Sequence, residues 1–235
     1  MHVHSVGSDS LLVEVPDTTA ALSLAAWARE RALGAAEIVP AATSVLFAEV
    51  ADPQALAAAL DAWRGDPVPI GGGVVELPVT YDGVDLELVA GLWGTTVEGA
   101  VARHTGIEFV SAFCGFAPGF SYLAGLPEEL AVPRLDSPRA RLRAGAVALA
   151  GTWCGIYPGE SPGGWRVLGH TDEQLWDPER IEPALLPPGT RVRFRDVTAS
   201  EPVSAPVAAG RPGSRGIAGE PAPPGPRTPR RRWFR

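Results

Sequence analysis

Two segments rich in glycine, proline and aromatic residues constrain the fold of this chain more than any other feature. Loop 1 covers residues 114–122 (CGFAPGFSY), and loop 2 covers residues 155–165 (GIYPGESPGGW). Glycine admits positive φ and close backbone approach, proline fixes φ at about −65°, and aromatic rings supply rigid faces. Because such a mixture cannot continue as a helix, both segments are predicted to be rigid, shaped loops.

The segment between them, residues 132–145 (VPRLDSPRARLRAG), carries four arginines beside prolines. Proline keeps its preceding residue extended, and each arginine presents a fixed fork of donors. One interpretation is that the loops only turn the corners of a β-barrel and the arginines are solvated. The other is that the three successive segments form a pocket, and their succession favours this second interpretation.

The first 78 residues alternate strand and helix patterns. Asp17 or Thr18 is a candidate N-cap for the first helix, and a proline opens the second. The order is βαββαβ, a ferredoxin-like pattern with two helices on one face of an antiparallel sheet. The predicted elements are a strand at 11–15, a helix at 18–33, strands at 36–40 and 44–50, a helix at about 52–63 and a strand at 74–79.

Residues 79–197 begin with two short helical pieces that end near His104, and short strands separated by Gly/Pro turns follow. This pattern predicts a β-barrel, so the fold class is α+β with domains at 1–78 and 79–197. The final segment, 198–235, holds eight of the 24 prolines and seven arginines. It cannot bury enough apolar surface to fold, and we interpret it as a disordered Pro/Arg-rich tail.

Charge and cysteine usage exclude several functions. Residues 1–197 carry a net charge of −12, which argues against nucleic-acid binding by the folded part. No apolar run approaches the roughly 20 residues needed to span a bilayer, and no signal peptide is visible, so we expect a cytoplasmic protein without membrane contact. Cys114 and Cys154 lack metal-ligand spacing and are interpreted as inert buried thiols, with a catalytic thiol as the alternative.

The ordered motifs closely resemble one family, the B subunit of 5-oxoprolinase. This family is also called allophanate hydrolase subunit 1 and includes the kinase inhibitor KipI. The resemblance covers about residues 8–196, and its motifs are too long to be explained by chance. They are Gly-Phe-x-Pro-Gly-Phe-x-Tyr-Leu from residue 115, Pro-Arg at 133–134, Ser-Pro-Arg at 137–139, Ala-Gly-x-Val at 144–147, and Gly-Ile-Tyr-Pro-x-x-Ser-Pro-Gly-Gly-Trp at 155–165.

The resemblance implies a cyclophilin-like barrel in the C-terminal domain and an ATP-dependent amidase that opens 5-oxoproline to glutamate. This chain would supply half of a site shared with a homologue of the C subunit (KipA-like), acting with a homologue of the A subunit (LamB/YcsF-like). ATP would be a co-substrate, although the sequence contains neither a P-loop nor a kinase glycine loop, and no metal site is expected. Two alternatives stay open: an inhibitor of a sensor histidine kinase, and a subunit in allophanate or urea metabolism.

The resemblance also implies site residues. Arg139 would face substrate anions as a catalytic group. For His104, a role in proton transfer or substrate binding competes with capping the end of its helix. The chain departs from the family at Trp153 and Cys154, where Gln-Thr is usual, and at His170 and Phe109. The implied substrate-binding residues are Phe116, Pro118, Gly119, Phe120, Tyr122, Arg134, Tyr157, Ser161, Gly163, Gly164 and Trp165.

Overall fold

The computed structural model describes residues 1–65 and 73–198. Within this part, no helix combines the length and apolar character that crossing a bilayer requires. The helices are α1 (Thr18–Glu30), α2 (Pro53–Leu60), α3 (Leu86–Leu92) and α4 (Val97–Gly106), with a 3₁₀ turn at Glu128–Leu130. The strands are β1 (His2–Val6), β2 (Ser10–Glu14), β3 (Ala35–Pro40), β4 (Ser44–Val50), β5 (Val74–Val79), β6 (Phe109–Cys114), β7 (Ser121–Ala124), β8 (Arg139–Leu142), β9 (Ala146–Ala150), β10 (Trp153–Ile156), β11 (Ser161–Gly163), β12 (Arg166–His170) and β13 (Arg191–Asp196).

The N-terminal sheet has four antiparallel strands in the order β1-β2-β4-β3, and α1 and α2 pack against it. Alternate residues of β2 and β4 are buried, including Val13 and Phe47, as expected for a sheet with one covered face. The predicted N-cap of α1 is confirmed, because the Asp17 carboxylate accepts a hydrogen bond from the Ala20 N–H at 2.8 Å. This part therefore buries an apolar cluster of its own.

The α+β class is confirmed, but the ferredoxin-like strand order is not. Strand β5 does not join the N-terminal sheet as predicted. It pairs in parallel with β13 along its whole length, and its Leu77 and Val79 are buried in the core of the larger sheet. The place beside β2 is taken by β1, which the sequence did not reveal because all five of its residues are exposed and show no apolar period.

The larger sheet has seven strands in the order β12-β9-β10-β7-β6-β13-β5, antiparallel except between β13 and β5. Thr80, just after β5, and His170, at the end of β12, exchange two backbone hydrogen bonds of 2.9 Å. The two edge strands therefore meet, and the sheet is nearly closed into a barrel. The barrel interpretation is confirmed to this extent, while the cyclophilin-like assignment stays a prediction.

The division into domains at 1–78 and 79–197 also stays a prediction. By its pairing, β5 belongs to the larger sheet, and Met1–Glu201 form one compact unit. The predicted tail, 198–235, lies outside the described residues apart from Thr198. The Thr198 hydroxyl accepts a hydrogen bond from the Tyr81 N–H at 2.8 Å.

Two glycines let the segment after β5 cross β12 at short range. A Cβ on Gly83 would overlap the backbone of Leu168, and a Cβ on Gly169 would overlap the carbonyl oxygen of Thr80. Backbone hydrogen bonds from Gly83 and Asp85 to β12 fix the crossing at 3.0 and 3.1 Å. The crossing places Asp85 beside β12, where it contributes to the site described below.

The crossing yields a prediction for matched glycine variants. Gly83→Ala should lower the free energy of unfolding by about 2 kcal/mol or more, because backbone atoms rather than a flexible side chain must move. Gly91→Ala in α3, where no atom lies near the added methyl group, should raise it by about 0.5 kcal/mol. Urea unfolding followed by circular dichroism measures both changes, and equal effects would contradict the prediction.

Candidate functional site

A cavity of about 490 Å³ opens between loop 1, loop 2 and the arginine-bearing segment 132–145. Strands β6 and β7 flank loop 1, while β10 and β12 flank loop 2, so the barrel fixes where both loops leave it. Most of the lining is apolar. The lining residues are Phe116, Phe120, Tyr122, Arg134, Pro138, Ala150, Gly151, Trp153, Tyr157, Pro162, Gly163, Gly164 and Trp165.

Phe120 is the centre of the aromatic wall of the cavity and is almost completely buried. Its ring makes edge-to-face contacts at centroid distances of 5.1, 5.2 and 5.5 Å with Tyr122, Tyr157 and Trp165. A Cβ on Gly155 would lie 2.9 Å from ring atoms of both Phe120 and Trp165. Only glycine therefore lets β10 pass behind these rings, and the wall is rigid.

Phe116 lies at the rim of the cavity and is 64% exposed. Its φ is +70°, and the Ala117 N–H donates a hydrogen bond to the Gly115 carbonyl at 2.8 Å, which closes a γ-turn around Phe116. Such backbone costs roughly 1–3 kcal/mol for a bulky residue. The exposed ring meets Phe120 and Tyr157 edge-on, so the turn holds an apolar side chain over the opening.

Arg134 is the only charged side chain that lines the cavity among the described residues, and within that part of the chain no carboxylate forms an ion pair with it. The hydroxyl of Tyr157 is the nearby neutral donor. Burial raises the pKa of Tyr157, the guanidinium of Arg134 lowers it in part, and the pKa stays above its ordinary value. The cavity therefore offers a cation and a protonated hydroxyl.

Arg139 does not line this cavity. Its guanidinium pairs with Asp85 through two contacts of 2.9 Å, and it borders a separate depression of about 250 Å³. Burial raises the pKa of the Asp85 carboxyl, but hydrogen bonds from Arg139, from the Val167 N–H and from Arg166 hold it below its ordinary value. The structure therefore does not support the predicted catalytic role of Arg139, whose charge is compensated by a buried carboxylate.

His104 is likewise separate from the cavity. Its ring is fully buried in the barrel core and stacks on Phe194 at 4.6 Å. Nδ1 lies 2.7 Å from the Tyr81 hydroxyl, and Nε2 lies 3.5 Å from Sγ of Cys154. Burial lowers the pKa of His104 to about 3 and raises that of the Cys154 thiol. The predicted proton-transfer role does not fit this position, and the side chain does not cap carbonyls at the end of α4.

Three other predicted site residues do not line the cavity. Pro118 is exposed at the tip of loop 1. Gly119 is buried against the segment at 175–176, where a Cβ would lie 2.8 Å from that of Trp176. Ser161 belongs to β11, and its buried hydroxyl has no hydrogen-bond partner among the described residues. These positions support the loops rather than the cavity surface.

The sequence interpretation missed five lining residues: Pro138, Ala150, Gly151, Trp153 and Pro162. Only Trp153 carried a signal, because it departs from the usual family pattern. Its ring lies 6.0 Å from that of Tyr122 and 5.4 Å from that of Phe113, both edge-on. The indole of Trp153 therefore extends the aromatic wall.

Residues 1–186 match the carboxyltransferase domain family, subdomains C and D, and the chain belongs to that family. It is 46% identical to the B subunit of 5-oxoprolinase from Escherichia coli O157:H7 over 123 residues, which are 51% of this chain and 56% of that protein. It is 42% identical to the B subunit of 5-oxoprolinase from Bacillus subtilis (strain 168) over 124 residues, 52% of each chain. The chain thus spans about half the length of these curated relatives.

Several solved structures also resemble this chain. The crystal structure of TTHA0988 superposes with a TM-score of 0.68 and 34% identity over 84% of this chain and 41% of that chain. PH0987 from Pyrococcus horikoshii gives a TM-score of 0.51 and 31% identity over 83% of this chain and 97% of that chain. Urea amidolyase from K. lactis shares the fold at a TM-score of 0.64 and 18% identity, over 84% of this chain and 15% of that chain.

The burial of His104 predicts stability that depends on pH. Its pKa is about 6.5 when the chain is unfolded and about 3 when it is folded. Between these two pH values the unfolded chain binds more protons at this group than the folded chain does. Neutral His104 therefore does not reduce the free energy of unfolding above about pH 6.5, and its effect on that free energy becomes more unfavourable as the pH falls towards 3. Between pH 7 and pH 5 this group should reduce the free energy of unfolding by about 2 kcal/mol.

The measurement is urea unfolding at pH 7 and pH 5 for the wild type, His104→Gln and the control His2→Gln. Glutamine can keep polar contacts with the Tyr81 hydroxyl but does not titrate. The wild type and His2→Gln should lose about 2 kcal/mol more on acidification than His104→Gln. Equal losses in all three proteins would show that His104 does not control this window.

Proposed function

We propose that this chain is the B subunit of an ATP-dependent 5-oxoprolinase and supplies the ring-binding half of a shared site. The observation that carries the proposal is the cavity between loops 1 and 2, whose lining combines an aromatic wall with one arginine that lacks a carboxylate partner in the described structure. The similarity to proteins named as this subunit of 5-oxoprolinase supports the same assignment. Substrate and partners are part of the proposal because the similarity covers only about half of those relatives.

The substrate 5-oxoproline is a small lactam ring that carries a carboxylate. The faces and edges of the aromatic wall suit the apolar part of such a ring. Arg134 would pair with the carboxylate, since a charge-assisted hydrogen bond contributes about 1.5–3 kcal/mol and no acid of the described residues competes for it. The protonated hydroxyl of Tyr157 would donate to a further oxygen of the ligand.

ATP would act by phosphorylating the lactam carbonyl oxygen, which creates a leaving group for hydrolysis. The cavity residues do not fit a triphosphate, because one unpaired guanidinium faces several negative charges. We therefore assign ATP binding to the partner subunits. In this chain, the described residues bind and orient the substrate ring.

The partners we propose are a homologue of the C subunit, which completes the site, and a separate homologue of the A subunit. The exposed Phe116 at the cavity rim supports a covering partner, because an apolar ring at an opening gains free energy when another surface buries it. The match to TTHA0988 covers only 41% of that chain, so this fold also occurs within a longer protein.

The test is 5-oxoproline-dependent ADP release by the chain mixed with homologues of the A and C subunits. The chain alone should be inactive. In the mixture, Arg134→Gln should lower kcat/KM about tenfold or more, since each 1.4 kcal/mol is a factor of ten. Arg141→Gln, which removes an exposed arginine paired with Glu160, is the matched control and should change it less than about twofold.

Equal kinetics of the two variants would remove Arg134 from the site. Absence of activity in every mixture, together with inhibition of a sensor histidine kinase by this chain, would replace the 5-oxoprolinase proposal with a regulatory function.

A further inference from the structure

We infer that Asp85 is a positioning residue that holds both sides of the cavity in place from behind. Asp85 belongs neither to the two loops nor to the arginine-bearing segment. It precedes α3, where an aspartate would ordinarily cap the helix, yet its side chain makes no capping hydrogen bond. Its carboxylate is directed instead to β8, which lies within the arginine-bearing segment, and to β12, which follows loop 2.

The first step is the saturation of the Asp85 carboxylate by three donors from two strands. Arg139 on β8 contacts both oxygens at 2.9 Å. From β12, Arg166 contacts Oδ1 at 3.4 Å and the Val167 N–H donates to Oδ2 at 2.8 Å. Asp85 is only 4% exposed, so these bonds are formed away from bulk water.

The second step is the link from these arginines to the cavity. Arg166 donates through Nε to the Pro133 carbonyl at 3.1 Å, and Pro133 precedes Arg134. Nη1 of Arg139 lies 3.4 Å from the carbonyl oxygen of Trp165, a residue of the aromatic wall. The backbone beside Arg134, which we propose to bind the carboxylate, and the backbone of Trp165 are therefore both tied to one buried carboxylate.

The third step is a backbone bond that, together with the β8–β11 pairing, joins the two sides. The Leu135 N–H donates to the Gly164 carbonyl at 2.8 Å, between the arginine-bearing segment and loop 2. If the Asp85 charge is lost, the two guanidiniums repel each other without compensation, and we expect the backbone bond between Leu135 and Gly164, which lies outside the β8–β11 pairing, to open. The cavity would then lose its shape while the barrel core stays packed.

The test compares Asp85→Asn with Glu160→Gln, which removes one carboxylate from the exposed ion pair to Arg141 on β8. Hydrogen exchange of the full chain is the first readout. We expect the Leu135 amide to exchange at least about tenfold faster in Asp85→Asn, with amides of β13 changed less than about twofold. Glu160→Gln should leave both unchanged.

The second readout is the kinetics of the complex, which rests on the proposed function. Asp85→Asn should raise KM for 5-oxoproline about tenfold and change kcat by less than about threefold, because ligand placement is lost rather than a reacting group. If Asp85→Asn fails to fold, Arg139→Lys replaces it. Lysine keeps the charge but cannot make the bidentate contact with Asp85. We therefore expect a smaller rise in KM than for Asp85→Asn, again with little change in kcat.

The outcomes separate this inference from the proposed function. Absence of 5-oxoproline turnover by the wild-type complex would remove the proposed function, while hydrogen exchange would still decide the role of Asp85. Leu135 and β13 amides that accelerate equally would mean that Asp85 only stabilises the fold, and would overturn the inference. Unchanged KM in an active complex would overturn it as well.

Discussion

In our inference, the candidate site depends on the ion pairs of the buried Asp85 carboxylate with Arg139 and Arg166. Two arginines share this one acid, so the group keeps an excess positive charge behind a cavity whose own lining contains a third, unpaired arginine. Removing one member of a buried ion pair typically costs about 3–5 kcal/mol, because the remaining charges are stranded away from water. The same group therefore anchors the backbone and favours an anion in the cavity.

Around this anchor, the loops keep their shape through contacts that tolerate no added atom. Gly155 passes behind the rings of Phe120 and Trp165, and a Cβ on Gly163 would collide with the ring and hydroxyl of Tyr157. Close packing of rings against glycine backbone leaves little freedom for the wall to rearrange. A ligand must fit the cavity as it is, which is the condition for selecting a small rigid ring.

The sequence predicted the loops, the barrel and most of the aromatic wall, because glycine, proline and aromatic residues act through local rules. It did not reveal that Arg139 and His104 lie away from the cavity, since partners distant in the chain decide where a polar side chain is held: Asp85 lies 54 residues before Arg139, and Cys154 lies 50 residues after His104. The prediction that β5 lies beside β2, where the structure has β1, was wrong for a similar reason. Strand pairing is non-local, and β1 shows no apolar alternation.

The rim of the cavity supports our proposal that this chain supplies only part of a shared site. Phe116 combines a strained backbone with a mostly exposed ring, and both features raise the free energy of the isolated chain. The described lining offers one cation, whereas ring opening driven by phosphoryl transfer needs several around the phosphate. Under the proposed function, a partner that covers the rim and brings cationic groups would resolve both deficits at the same surface.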